Sequence, residues 1–95
     1  MKKDDVQYIQ AYEVKHNRNY PVICKDDSVI VDTRINTYKE EGWYLYMDDF
    51  YKVSLSPKFS GVGVVLYQLN GEQMELKFED FHPFGRVNGV QRAEI

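Results

Sequence analysis

Ninety-five residues, 43% hydrophobic and 28% charged, suffice for one small core and are too apolar for a disordered chain. Fifteen acidic against twelve basic residues leave a net charge of −3 with no basic stripe, which argues against a phosphate-backbone binder. A single cysteine, Cys24, excludes an internal disulfide, and no apolar run approaches the ~20 residues of a membrane-spanning helix.

The opening MKKDDVQYIQ follows two lysines with two aspartates and no apolar stretch, so it does not read as a secretory signal. With the lone cysteine, this points to a cytoplasmic protein. Period-two alternation broken by turn residues then runs along the whole chain, the pattern of an all-β fold. Val6, Tyr8, Tyr12 and Val14 alternate on one face of a first strand. HNRNYP (16–21) is a polar loop, VIC (22–24) a short strand, and KDDS (25–28) a turn. VIVDTRINTY (29–38) carries six β-branched residues and reads as strand, because two heavy atoms on Cβ stiffen the side chain against a helix. The competing reading is a short helix near 32–41, capped by Asp32 and ended by Gly42. In the strand reading, KEEG (39–42) closes a hairpin.

GWYLYMDDFYKVSL (42–55) holds five aromatic residues. With Asp48-Asp49 as the turn, Tyr46 faces Tyr51 and Tyr44 faces Val53, while Trp43, Leu45, Met47 and Phe50 lie on the other side. Further on, Asn70-Gly71 is a preferred pair for a two-residue type I′ turn. That register sets Tyr67 opposite Met74, Val65 opposite Leu76 and Gly63 opposite Phe78. A second Asn-Gly at 88–89 suggests a small terminal hairpin. The sum is one β domain spanning 1–95: a six- to seven-stranded antiparallel meander curled into a barrel, or else a thin sandwich.

Chemistry is sparsely advertised. His16, His82 and Cys24 lack metal-ligand spacing, and the acidic doublets Asp26-Asp27, Asp48-Asp49 and Glu79-Asp80 lack that of a calcium loop, so no metal or other cofactor is implied. The doublets read as turn and strand-end residues, and Cys24, in an apolar stub, as a buried inert thiol. Asp49 with Glu75 and Lys77, two positions apart on one strand face, outlines a metal-dependent hydrolase. A small barrel with exposed aromatics could also bind oligonucleotides, using Lys15, Arg18, Arg86 and Arg92, but Asp48, Asp49, Glu79 and Asp80 interleave its aromatics and would repel phosphates. The leading expectation is a non-enzymatic protein-binding domain, a small regulator or inhibitor. One core cannot bury both faces of 42–55, so Trp43, Leu45, Met47 and Phe50 are assigned inward. Tyr44, Tyr46 and Tyr51, rimmed by Asp48 and Asp49, then form the binding face, for a partner with a basic and apolar surface or for a second copy.

Overall fold

The alternating segments do become strands. The computed structural model describes residues 8–59 and 62–93, so Val6 lies outside the described residues. The strands are β1 (Ile9–Glu13), β2 (Ser28–Asp32), β3 (Gly42–Tyr46), β4 (Asp49–Leu55), β5 (Gly63–Tyr67), β6 (Gln73–Lys77) and β7 (Gly85–Gln91). They form one antiparallel sheet of seven strands in the order β1-β2-β7-β3-β4-β5-β6. The all-β expectation holds. The sheet does not close into a barrel, because β1 and β6 remain as edges. Nor is it a plain meander: β7, last in the chain, is inserted between β2 and β3.

Three local expectations are overturned. The β-branched run leaves the sheet at Asp32 instead of continuing to Tyr38. The Asp32 carboxylate accepts the Arg34 backbone N–H at 3.0 Å and the Arg34 guanidinium at 2.9 and 3.1 Å, closing a turn that ends the strand and starts no helix. KEEG accordingly closes no hairpin, since β2 pairs with β1 and β7. The VIC segment contributes only an isolated bridge between Asn19 and Ile23.

The β5–β6 hairpin forms with a different register. Gln68 N–H donates to Glu72 O at 2.9 Å, Tyr67 pairs with Gln73 and Leu66 with Met74, so Leu69, Asn70 and Gly71 form a three-residue loop. The loop is held by the 16–21 segment. Asn70 N–H donates to Arg18 O at 2.7 Å, its side-chain amide to Tyr20 O at 3.0 Å, and Leu69 N–H to Asn19 Oδ1 at 3.3 Å. A one-residue slip moves a strand's side chains to the opposite face, and the apolar face is now Val64 and Leu66 with Met74 and Leu76. Asn88-Gly89 makes no turn. It lies inside β7, where the pairing steps from Ile30–Gly89 to Val31–Val87 and leaves Asn88 as the extra residue of a bulge.

The β3–β4 turn falls at Met47-Asp48, one residue earlier than Asp48-Asp49. Both residues have positive φ, 49° and 63°, as a type I′ turn requires. Tyr44 therefore faces Tyr51 and Leu45 faces Phe50. Because the pairing shifts by two residues in total, the membership of each face is as the alternation predicts. What differs is the number of cores. On one face Leu45 and Phe50 join Val14, Ile23, Val29 and Val31, with Trp43 packed alongside. On the other, Tyr44, Tyr51 and Val53 join Val64, Leu66 and Phe81, with Ile35, Tyr38 and Tyr46 against them. The first core is capped by the 14–27 loop and the second by the 33–41 segment and Phe81. The aromatic hairpin β3–β4 is the shared wall between them.

Candidate functional site

The acidic doublets show how the loops are anchored. In each of two pairs the first aspartate takes the left-handed turn and the second folds inward. Asp26 has φ 74°, and the fully buried Asp27 accepts the N–H of Cys24 at 2.9 Å and of Ala93 at 3.0 Å, with the Arg92 guanidinium at 2.9 Å. Asp48 has φ 63°, and the buried Asp49 accepts the Phe50 N–H at 2.8 Å. His16 and Arg18 reach Asp49 from the 16–21 segment, Arg18 at 2.7 Å to Oδ2. His16 Nδ1 accepts the Arg18 backbone N–H at 3.1 Å, which leaves Nε2 to donate to Asp49 Oδ1 at 2.7 Å. This His16–Asp49–Arg18 cluster was not legible in the sequence, since 31 or more residues separate the partners. It clamps the 16–21 segment to the β3–β4 hairpin.

Burial alone would raise the Asp49 carboxyl above its ordinary value, and this is the largest single influence. Hydrogen bonds from Gln68, the Phe50 N–H and His16 outweigh it and hold the group low. Asp27 is lowered against the same opposing burial by the Cys24 and Ala93 N–H groups and Arg92, and Asp32 by hydrogen bonds from Arg34. A carboxylate held low when folded stabilises the fold above its unfolded value of about 3.9, and that contribution is lost as pH falls through the folded value. Urea midpoints are thus expected to be flat from pH 7 to about 5 and to fall steeply below about 4. Asp49→Asn is expected to lower the midpoint at pH 7 and to shrink its drop on going to pH 3. An undiminished drop would show that Asp49 does not take part.

The aromatic binding face expected from the sequence is covered. Tyr44 is 0% exposed and Tyr51 6%, so both are core residues and the outward assignment of their face is corrected. The Tyr44 hydroxyl donates to Glu40 O at 2.8 Å and accepts the N–H of Lys39 at 3.2 Å, so it is satisfied without water. Tyr46 is half-buried against Tyr51 and Phe81, with ring centroids 6.3 and 5.4 Å away. Asp49 is buried in its clamp. Asp48 stays exposed. Met47, assigned inward from its alternation, is instead 75% exposed at the tip of the turn.

An open surface exists on the other side of that turn. Tyr12, Leu45, Met47, Asp48, His82, Pro83 and Phe84 enclose a groove of about 420 Å³. The strand that precedes the groove and the segment that closes it are tied together by the Phe84 N–H donating to Leu45 O at 2.8 Å. Phe84, 54% exposed, meets Tyr12 edge-on at 6.0 Å. Leu45 and Pro83 make the floor, and Asp48 and His82 supply the polar groups. Of the sequence-assigned residues, only Asp48 lies here. The available signal for the rest was the HPF run after the Glu79-Asp80 doublet, which reads as an ordered turn and becomes the far wall.

Other expected chemistry is not assembled. Glu75 pairs with Val65, which pairs with Ser54, five positions along β4 from Asp49. At ~3.3 Å per residue that is about 17 Å, before two strand spacings are added. Glu75 instead accepts the Ser56 hydroxyl at 2.6 Å. Among the described residues no cluster of three or more His, Cys, Asp or Glu is arranged to hold a metal ion. Cys24 is half-buried rather than buried, its Sγ 2.8 Å from the Arg92 guanidinium. The four basic residues open to a phosphate role are each paired with a carboxylate: Lys15 with Glu13, Arg18 with Asp49, Arg86 with Glu40 and Arg92 with Asp27. No helix among the described residues is long and apolar enough to cross a membrane. Compared with known proteins, the chain matches no family model, no curated protein and no solved structure.

Proposed function

We propose that the chain is a non-enzymatic protein-binding domain, a small regulator or inhibitor, that works through the groove between Met47 and Phe84. One observation carries the reading: a bulky apolar side chain sits largely exposed on a backbone that disfavours it. Met47 has φ 49° at a turn position where asparagine or glycine is the stable choice, and it is 75% exposed. Stability alone would not select methionine there. An adaptable thioether facing an exposed ring across an apolar floor supports docking of another apolar side chain. Asp48 at the rim supports a lysine or arginine beside that side chain, so the partner surface is apolar and basic.

Met47→Asn tests this directly. It is expected to raise stability by about 0.5–1 kcal/mol in urea denaturation, by relieving the left-handed strain. With Phe84→Ser as a second variant, it is expected to weaken capture of the partner from a lysate of the native cell by tenfold or more. Captured proteins common to wild type and both variants would overturn the groove as the docking surface.

A further inference from the structure

The outer edge of β6 pairs with no strand among the described residues, and its sequence is self-complementary. In the β5–β6 ladder Gln68 N–H donates to Glu72 O and Phe78 N–H to Val62 O. Hydrogen-bonded and non-hydrogen-bonded pairs alternate along an antiparallel ladder. The backbone groups of Met74 and Leu76 therefore point at β5. Those of Gln73, Glu75 and Lys77 point away from the sheet. Glu75 and Lys77 form no ion pair with any described residue, although Ser56 holds the Glu75 carboxylate in place at 2.6 Å. On the strand's other face Met74 and Leu76 are half-buried against the second core, and Phe78, 40% exposed, continues that apolar line. Phe78 and Val62 also wall an apolar hollow of about 390 Å³ with Lys77 and Glu79.

The geometry points to a homodimer in which β6 pairs antiparallel with β6 of a second copy, about a two-fold axis through Leu76. Charge complementarity selects this register over its neighbours. With the axis at Leu76, Glu75 lies opposite Lys77 of the second copy, and Lys77 opposite its Glu75. Both pairs use the outward-pointing backbone groups, so the ladder's hydrogen bonds form where the charges attract. Met74 then faces Phe78 of the second copy and Leu76 faces its own equivalent, so the apolar line of one core runs on into the other. With the axis one residue earlier, Glu75 would lie directly opposite a second Glu75, which is unfavourable. The interface is isologous, as a two-fold requires. It lies apart from the Met47–Phe84 groove and does not depend on it.

Sedimentation equilibrium across a concentration series tests the proposal, with circular dichroism confirming that each variant is folded. Wild type is expected to show a concentration-dependent monomer–dimer equilibrium. Glu75→Lys and Lys77→Glu each place two like-charge pairs across the axis and are expected to weaken dimerisation by roughly tenfold. The double exchange E75K/K77E restores both attractions and is expected to return the constant to near wild type. A wild type that stays monomeric at high concentration overturns the proposal. So does a dimer indifferent to all three variants, which would place the contact on another surface. A double exchange as weak as the single variants overturns the register.

Discussion

Tyr44→Ala is expected to cost about 3–5 kcal/mol of stability in urea denaturation, and Tyr44→Phe about 1–2 kcal/mol. A domain of this length has roughly 5–14 kcal/mol in total, so the alanine variant should sit near the edge of unfolding. The two variants separate two roles of one side chain. The ring fills the second core, edge-on to Phe81 at 5.6 Å and tilted beside Tyr38 at 6.2 Å. The hydroxyl satisfies backbone groups of Lys39 and Glu40, which phenylalanine would leave without a partner. Tyr51→Ser should also destabilise substantially, whereas Tyr46→Ser, at the half-exposed margin, should cost far less. A soluble, fully stable Tyr44→Ala protein would mean that the 33–41 segment does not cover the sheet as described.

Gly85→Ala is expected to be the most damaging single-methyl change in the sheet. Gly85 opens β7 where that strand is squeezed between β2 and β3, opposite Leu45 and next to the Arg86–Asp32 pair. A Cβ there would lie 2.5 Å from Val31 Cγ1 and 2.8 Å from the Asp32 carbonyl oxygen. The oxygen is backbone and cannot step aside without moving β2. Overpacking of this kind costs about 1–3 kcal/mol and more where backbone must shift, which lowers the melting temperature by about 4–8 °C per kcal/mol in a domain this size. Gly89→Ala is the internal control. A Cβ at Gly89 meets nothing within 4 Å, so it should leave stability unchanged or raise it by about 0.5 kcal/mol. Equal effects at the two positions would remove the steric account.

What was legible in the sequence follows from what alternation can and cannot report. It reports side-chain parity, and so the membership of the two faces of 42–55 came through even though the turn lay one residue away from the aspartate pair. Parity says nothing about how many cores a sheet has. The inference that Tyr44 and Tyr51 face solvent rested on a single core, and it failed because two loops, 14–27 and 33–41, cover opposite faces of one sheet. The Asn-Gly pairs failed for a different reason. Asn70 is occupied by Arg18 and Tyr20, about fifty positions earlier in the chain, and Asn88 by the stagger of β7 on β2. A local turn preference of a few tenths to about 1 kcal/mol is small beside several such contacts. The Met47–Phe84 groove was hidden for the same reason, since β1, the β3–β4 turn and the 82–84 segment meet only in three dimensions.

The place of β7 also sets the order in which the molecule can be made. During synthesis the β1–β2 hairpin and the β3–β6 strands leave the ribosome first, and neither group can join the other. Each carries an unpaired margin, β2 on one side and β3 on the other, until residues 85–91 arrive to bridge them. The bridge contains the longest-range strand pairings of the sheet among the described residues, the kind that makes β proteins slow to fold. A nascent chain stalled before Gly85 therefore holds two incomplete sheets whose open margins match the same missing strand. In that state they are as able to capture an extended segment from a neighbouring chain as from their own.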